Sequence, residues 1–252
     1  MRIAANREGI GSRLKCLLSV MRMASMNGES YRIKFDHNKN VRCNWNDLFL
    51  NNIETKESVK KLEYPNIFCS WKWDSTKEER LKYNTKYFDY MFSETPFKKD
   101  ILYHISKLNL VKYCEDAIKN YNKKIDSNTV SVCVRTWADV FGTKLQRDFN
   151  INKYFSLIDK EPEDKKIFLT SDIGKTLVLF QMRYGKERIL YFPKRTQWGD
   201  FSTVEGMQDT MVELYLSGRA NKMYIAWHSA FTECQWWFGG AKAEVIEVNK
   251  WK

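Results

Sequence analysis

The 252-residue sequence contains only three histidines and four prolines, and its six cysteines are isolated from one another. It has no CxxC pair and no histidine at zinc-finger spacing, so it indicates neither a disulfide framework nor a zinc site. No segment approaches the roughly 18 consecutive apolar residues that a membrane-spanning helix requires, and the amino terminus lacks the apolar core of a secretory signal. We therefore expect a cytoplasmic protein in a reducing environment, without a transmembrane segment.

The composition is that of a folded, basic protein, with 43% hydrophobic residues and a formal net charge of +11. This charge indicates an anionic partner, which is nucleic acid, an anionic membrane surface or a small ligand that carries phosphate. The basic residues are spread along the chain without a run of five, as on an ordinary solvated surface. Because no basic stripe is interleaved with aromatic residues, we do not expect a nucleic-acid partner.

The amino-terminal half begins with a predicted strand at 2–5, a glycine turn and a helix. Ser12 lies near the expected N-cap of this helix, and Gly28 is expected to end it. The further predicted elements are a strand at 31–35, a short helix through Leu48 and Phe49, a strand at 67–71, and a long helical region that begins at Thr95 and Pro96.

Residues 119–128 are polar and charged, which predicts a linker between an amino-terminal lobe, 1–125, and a carboxyl-terminal lobe, 126–252. Beyond the linker, strands alternate with helices, and this pattern predicts an α/β lobe with a parallel, doubly wound sheet. The predicted strands are 129–135, 166–170, 188–192, 222–227 and 243–248, and the predicted helices are 151–160, 173–184, 203–216 and 229–238.

Three of these strands end in polar residues. Arg135 is the last residue of the first strand, and Asp172 and Ser229 come shortly after the second and the fourth. Because ligands of open α/β sheets bind outside the carboxyl ends of the strands, we expect these residues to line one crevice. There Arg135 can bind a diphosphate or form a salt bridge across the domain interface. Ser229 and the following N–H groups can receive phosphate oxygens, or Ser229 can act only as an N-cap.

The glycines point to some nucleotide chemistries and argue against others. Gly9 and Gly11 precede a helix and allow a ligand to approach the backbone, or they form only a tight connection. Leu14 stands where a dinucleotide-binding fingerprint requires a third glycine, which argues against a nicotinamide or flavin site. Leu169 replaces the first glycine of a phosphate loop at 169–176, so we do not expect a nucleoside triphosphatase.

Two further residues allow alternative interpretations. Asp209, near the start of the predicted helix 203–216, can accept hydrogen bonds from a guanine edge or favour the helix dipole. Cys133 has no convincing histidine partner, which predicts a core side chain rather than a nucleophile.

Taken in order, these segments resemble the fucosyltransferase superfamily, which includes nodulation, α1,6-, α1,2- and protein O-fucosyltransferases. Gly9–Arg13 and the helix after it are similar to the Gly-x-Gly-Asn-Arg opening of that family. Val132–Thr136 resembles its His-x-Arg-Arg motif. The other similar segments are 41–49, with a Trp and an Asp-Leu-Phe, 167–172, the helix that bears Asp209, and 227–232, which resembles a Ser-x-Phe-Ser turn. Residues 50–125 are mostly unmatched.

The resemblance implies a GT-B fold, in which two Rossmann-like lobes face each other across a cleft and the carboxyl-terminal lobe holds the donor nucleotide. It also implies an inverting fucosyltransferase that moves fucose from GDP-fucose to a hydroxyl group of a glycan, with no metal or other cofactor. Arg135 is the expected diphosphate ligand, and Asp139 is the candidate base or a cap of the following segment. The other implied donor contacts are Gly9, Gly11, Arg13, Cys133, Thr170, Asp172, Asp209, Ser229, Ala230 and Phe231.

This sequence departs from the family pattern at two positions. Cys133 stands where the family has a histidine that contacts the base, and Thr136 replaces the second arginine. Guanine recognition and acceptor handling therefore remain open. The alternatives are a GT-B glycosyltransferase with another nucleotide sugar, or a non-catalytic protein of the same fold that binds a nucleotide sugar or glycan.

Overall fold

The computed structural model describes residues 1–6, 8–54, 67–68, 97–138, 142, 144–147, 149–226 and 229–248. The amino-terminal lobe contains a parallel three-stranded sheet in the order β2-β1-β3. Its strands are β1 (Arg2–Ala5), β2 (Tyr31–Lys34) and β3 (Ile67–Phe68). Helix α1 (Ile10–Met26) connects β1 to β2 and ends before Gly28, whose φ of +63° is one that glycine adopts readily.

The carboxyl-terminal lobe contains a parallel five-stranded sheet in the order β6-β5-β4-β7-β8. Its strands are β4 (Thr129–Val134), β5 (Lys166–Ser171), β6 (Ile189–Leu190), β7 (Lys222–Ala226) and β8 (Glu244–Val248). The chain runs outward from β4 through β5 to β6 and then returns to add β7 and β8 on the other side of β4. This order confirms the predicted doubly wound sheet and places its switch point between β4 and β7.

The remaining helices flank these sheets. They are α2 (Phe97–Ile105), α3 (Lys112–Asn122), α4 (Lys144–Arg147), α5 (Ile151–Ile158), α6 (Lys175–Tyr184), α7 (Val204–Ser217) and α8 (Ala230–Phe238). Among the described residues, no helix combines the length and the apolar character that crossing a membrane requires.

Strand β4 is apolar because both of its faces are covered. Val130 and Val132 share a hydrophobic cluster with Tyr154 of α5 on one face. Cys133 lies on the opposite face, in a cluster with Trp237 of α8 that extends into the amino-terminal lobe. A strand buried on both faces has a nearly continuous hydrophobic sequence rather than an alternating one. This pattern explains why the strands of this lobe could be predicted closely.

The structure corrects the sequence predictions in the amino-terminal half. The helix predicted through residues 48–49 is instead a 3₁₀ turn at Trp45–Asp47, where the Trp45 ring stacks on Phe49 with centroids 4.2 Å apart. Helix α1 begins at Ile10, so Ser12 lies inside the helix rather than near its N-cap. The helical region after residue 95 is two helices, α2 and α3. Its predicted start at 95–96, and residues 69–71 of the predicted third strand, lie outside the described residues.

The predicted linker 119–128 is also partly helical, because α3 extends to Asn122. Polar composition was misleading here, since α3 exposes most of its polar side chains and buries Cys114. Helix α3 packs along α7, and the Tyr121 hydroxyl donates to the carbonyl oxygen of Tyr191. The division of the chain at residue 125 stays a prediction.

The two lobes meet where α1 and α8 begin. A β-carbon on Gly11 would lie 2.6 Å from both the N and Cα atoms of Phe231, so only glycine allows this approach of the two backbones. The Cys234 thiol donates to the Gly11 carbonyl oxygen at 3.2 Å, and Lys15 forms an ion pair with Glu233. This contact therefore fixes the start of α1 against the start of α8.

We expect Gly11→Ala to lower the free energy of unfolding by about 1–3 kcal/mol, the usual cost of overpacking. Helix propensity alone would predict the opposite change, because it favours alanine over glycine by about 1 kcal/mol. Urea denaturation of the variant measures this effect. The matched control is Gly9→Ala, because a β-carbon on Gly9 would meet no atom within 4 Å. Equal stability of the two variants would contradict the proposed role of the contact.

Candidate functional site

The residues that follow β4 and β5 form one ion-paired unit at the carboxyl edge of the sheet. The register pairs Val134 with Ser171, so the next residues, Arg135 and Asp172, are also neighbours. Nη1 of Arg135 donates to the Asp172 carboxylate in an ion pair. That carboxylate also accepts the backbone N–H of Thr136 at 2.9 Å. Asp172 therefore holds both the Arg135 side chain and the backbone after it.

Trp137 completes this unit. Its φ of +60° is rare for a residue other than glycine and typically costs about 1–3 kcal/mol. Its backbone N–H donates to Oδ2 of Asp172 at 3.2 Å. Its ring centroid lies 4.8 Å from Cζ of Arg135, within the range of a cation–π contact. The loop after β4 is thus bent into a conformation that places an aromatic ring against the guanidinium.

The ion-paired unit lies on the wall of a cleft of about 320 Å³. Its other walls are the segment 199–202 and Lys39, which follows β2 in the amino-terminal lobe. A β-carbon on Gly199 would lie 2.2 Å from the carbonyl oxygen of Asp172, so this segment packs directly on the loop after β5. The backbone N–H of Arg42 donates to the Phe201 carbonyl oxygen at 3.2 Å, and this hydrogen bond connects the two lobes at the cleft.

Asp200, the second carboxylate of the cleft, is engaged within its own loop. Oδ1 accepts the Ser202 hydroxyl at 2.6 Å and the Ser202 N–H at 2.8 Å, and Oδ2 accepts the Thr203 hydroxyl at 2.9 Å. These hydrogen bonds, led by that of the Ser202 side chain, lower the pKa of Asp200. Sequence reasoning missed Lys39 and the segment 199–202, because neither belongs to a periodic element.

At the start of α8, Ser229 caps the helix and the next two residues pack against the amino-terminal lobe. Ser229 is the N-cap, and its hydroxyl oxygen accepts the Thr232 N–H at 3.4 Å. The backbone of Ala230 and Phe231 contacts Gly11, so protein fills the space that this glycine provides. Because Ser229 follows β7, the start of α8 lies on the same sheet edge as Arg135, across the switch point. Whether Gly9, Gly11 or these three residues contact a ligand stays a prediction.

Arg13 lies in the interior of the amino-terminal lobe and is 1% exposed. Its Nε donates to the Glu8 carbonyl oxygen at 2.9 Å, and its Nη1 donates to that of Asp36 at 2.7 Å. Burial lowers its pKa to about 10. Arg13 is not among the residues that line the cleft, and its implied contact with the donor stays a prediction. Arg13 connects the glycine turn to the segment after β2.

Asp209 is fully buried in α7, and protein groups occupy both of its oxygens. Oδ1 accepts hydrogen bonds from the Tyr113 hydroxyl at 2.8 Å and from the side-chain Nε of Arg195 at 2.9 Å. Oδ2 accepts one from the backbone N–H of Arg195 at 2.6 Å. Cζ of Arg195 lies 3.5 Å from the centroid of the Tyr113 ring. Sequence reasoning identified Asp209 but neither partner. In this arrangement Asp209 fixes the segment around Arg195, and the guanine contact stays a prediction.

Comparison with solved structures finds fucosyltransferases. The fucosyltransferase NodZ from Bradyrhizobium is 16% identical, with 98% of this chain and 95% of that chain covered and a TM-score of 0.57. NodZ α1,6-fucosyltransferase soaked with GDP-fucose is 15% identical, with 98% and 94% covered and a TM-score of 0.55. POFUT1 in its apo form is 10% identical, with 98% and 97% covered and a TM-score of 0.56.

This chain has the fold of fucosyltransferases. The likeness confirms the GT-B-like fold that the ordered motifs predict, and at 10–16% identity it shows the fold alone. No protein-family model matches the sequence, and the search of curated proteins finds no match.

Two of the predicted donor contacts lie in the interior of the structure. Cys133 is 1% exposed, and burial raises its pKa to about 11. Thr170 is 3% exposed, and its hydroxyl oxygen accepts Nε2 of Gln235 at 3.2 Å. Cys133 therefore occupies the core, as its lack of a histidine partner indicates. The predicted base, Asp139, lies outside the described residues.

Among the residues that the structure describes, no group of three or more histidine, cysteine, aspartate or glutamate side chains is arranged to hold a metal ion. The expectation that the protein needs no metal stays a prediction.

We expect Asp209→Asn to destabilise the protein by about 1–3 kcal/mol, because the Tyr113 and Arg195 donors lose their charged acceptor. Urea denaturation measures this change. The matched control is Asp116→Asn, which removes only an exposed ion pair with Lys112 on α3. Unchanged stability, combined with a loss of affinity for GDP but not for UDP, would instead support the predicted guanine contact.

The buried Cys133 thiol should make stability depend on alkaline pH. Its pKa rises from 9.0 to about 11 on folding, so the unfolded chain releases this proton first. The stability that comes from keeping the buried thiol protonated is therefore fully present below about pH 9, and it is lost as the pH rises towards about 11. We expect Cys133→Ala to reduce the slope of unfolding free energy against pH in this window by up to about 1.4 kcal/mol per pH unit. An unchanged slope in urea titrations would exclude this contribution.

Proposed function

We propose that the protein is an inverting fucosyltransferase that transfers fucose from GDP-fucose to a hydroxyl group of a glycan acceptor. The observation that carries this proposal is the position of Arg135, on the wall of the cleft between the lobes and beside the switch point of the sheet. Ligands of doubly wound sheets bind at this place. The shared fold with a NodZ structure soaked with GDP-fucose supports this choice of donor.

Arg135 is suited to bind the donor diphosphate. Fucosyl transfer leaves GDP with increased negative charge, so a cation that is already in position stabilises the transition state. Asp172 and Trp137 hold the guanidinium, which lowers the cost of reorganising it during the reaction. A guanidinium carries five N–H donors in a plane, so it can serve a carboxylate and a phosphate together.

Charge stabilisation without a divalent metal is part of this proposal. Arg135 supplies a permanent positive charge, and the start of α8 lies on the same sheet edge with its partial positive charge and N–H groups. Together they would balance the leaving diphosphate. Asp139, four residues after Arg135, is the proposed base that accepts the proton of the acceptor hydroxyl.

A non-catalytic protein of the same fold that binds a nucleotide sugar or glycan is the second candidate. It is favoured by the state of the carboxylates that line the cleft in the described part of the chain. Asp172 is held by Arg135 and two backbone N–H groups, and Asp200 is held by Ser202 and Thr203. Neither is poised as a base. A glycosyltransferase that uses another nucleotide sugar is a further alternative. Titration with several nucleotide sugars distinguishes it from a fucosyltransferase.

Calorimetric titration with GDP, GDP-fucose, GDP-mannose and UDP-sugars, each without metal, tests the proposed donor. We expect the protein to bind GDP and GDP-fucose, and Arg135→Ala to weaken this binding by about 10- to 100-fold, since a charged hydrogen bond is lost. The matched control is Arg183→Ala, whose ion pair with Asp159 lies on the exposed surface of α6. This control should bind as the wild type does.

The outcomes separate the candidates. Binding of GDP-fucose with transfer to a glycan in the presence of EDTA would support the proposed enzyme. Binding without transfer to any glycan acceptor would favour the non-catalytic protein. Preference for another nucleotide would change the donor, and no nucleotide binding would overturn the proposal.

A further inference from the structure

We infer that Lys39, from the amino-terminal lobe, binds the diphosphate of the donor in the cleft that it lines together with Arg135. This inference rests on the proposed function, and it concerns a residue that no sequence motif indicates. It is supported by the tight turn that carries Lys39, by the attachment of this turn to the other lobe, and by the lack of an ion-pair partner for Lys39 among the described carboxylates.

The backbone at Lys39 is fixed by a tight turn. Asn38 and Val41 exchange two backbone hydrogen bonds, with Asn38 N to Val41 O at 3.0 Å and Val41 N to Asn38 O at 3.3 Å. Oδ1 of Asn38 also accepts the N–H groups of Asn40 at 2.9 Å and Val41 at 3.1 Å. The side-chain oxygen thus reinforces the turn, as asparagine commonly does.

The turn is attached at both ends. Before it, the Asp36 carbonyl oxygen accepts Nη1 of the buried Arg13 at 2.7 Å. After it, the Arg42 N–H donates to the Phe201 carbonyl oxygen at 3.2 Å, on the wall of the cleft. Nearby, Nε2 of Gln208 in α7 donates to the Asp47 carbonyl oxygen at 2.8 Å. Lys39 is therefore held at the cleft by contacts with both lobes, whereas its side chain is exposed to solvent.

Lys39 is a cation of the cleft with no ion-pair partner among the described carboxylates, and it lines the same cleft as Arg135. Two carboxylates also line the cleft. Asp172 is paired with Arg135, and Asp200 accepts three hydrogen bonds within its loop. A diphosphate would give Lys39 an anionic partner and would lie between one cation of each lobe.

Both lobes would then contact the leaving group. Arg135 is fixed by its ion pair and by Trp137, whereas the Lys39 ammonium lies on a flexible side chain that can follow the phosphates as they take up charge. Binding by one cation from each lobe would also hold the donor without a divalent ion.

Titration of GDP into Lys39→Met tests this inference. We expect affinity for GDP to fall on the order of tenfold, as for the loss of one charged hydrogen bond. Lys39→Arg should retain most of the affinity, because it keeps the charge. The thermal unfolding midpoint of Lys39→Met should remain that of the wild type, since the side chain is exposed. The matched control is Lys153→Met, an exposed lysine on α5 that is not part of the cleft.

Equal GDP affinity of Lys39→Met and Lys153→Met would overturn the inference, whereas loss of GDP binding in Arg135→Ala would leave the proposed function intact. An effect of Lys39→Met confined to the KM for the glycan acceptor would also overturn it and place Lys39 at the acceptor. If the wild type binds no nucleotide diphosphate, the proposed function fails and the inference fails with it.

Discussion

The Asp172 carboxylate is the constraint on which the geometry of the cleft depends. The position of Asp172 follows from the parallel register of β4 and β5, which brings the residues just beyond both strands side by side. One carboxylate then holds the Arg135 guanidinium and the N–H groups of the next two residues. Hydrogen bonds to a charged group in a partly buried position are stronger than neutral ones. They offset the unfavourable backbone conformation of Trp137, and that conformation in turn brings the ring against the guanidinium.

The same carboxylate links this unit to the rest of the cleft. The segment that begins at Gly199 packs on the Asp172 backbone so closely that a side chain there would not fit. Phe201 in this segment accepts the hydrogen bond from the amino-terminal lobe. A structural change at the end of β5 would therefore also displace the end of β4, the segment 199–202 and the turn that carries Lys39. The cleft is one coupled arrangement and not a set of independent side chains.

Sequence reasoning succeeded where the physical signal is local. Strands β4, β5 and β7 were predicted to within about one residue, because burial on both faces leaves an apolar run that ends abruptly at polar residues. Arg135 and Asp172 were found for the same reason. The prediction failed where the structure depends on segments far apart in the chain. The partners of Asp209 come from α3 and from the segment after β6, and no pattern around Asp209 indicates either. Arg13 follows a glycine turn, yet its ligands are carbonyl oxygens, which any sequence provides.

The alternative interpretations weighed for single residues were also informative. Ser229 is an N-cap and Cys133 is a core thiol, as simple chemistry of these residue types indicates. Arg135 does form a salt bridge, although its partner lies in the same lobe and not across the interface. Such roles do not exclude ligand binding, because the residues that shape a cleft are often those that contact its ligand.

The glycine contact between α1 and α8 has a mechanical consequence. At Gly11 the two backbones touch, so the lobes can separate there only by pulling apart packed helices. Elsewhere between the lobes, Arg42 and Gln208 each supply one hydrogen bond, with a net value of about 1 kcal/mol each. Separating the lobes beside Phe201 therefore breaks a hydrogen bond that water can replace, whereas separating them at Gly11 breaks the packing of two helix backbones.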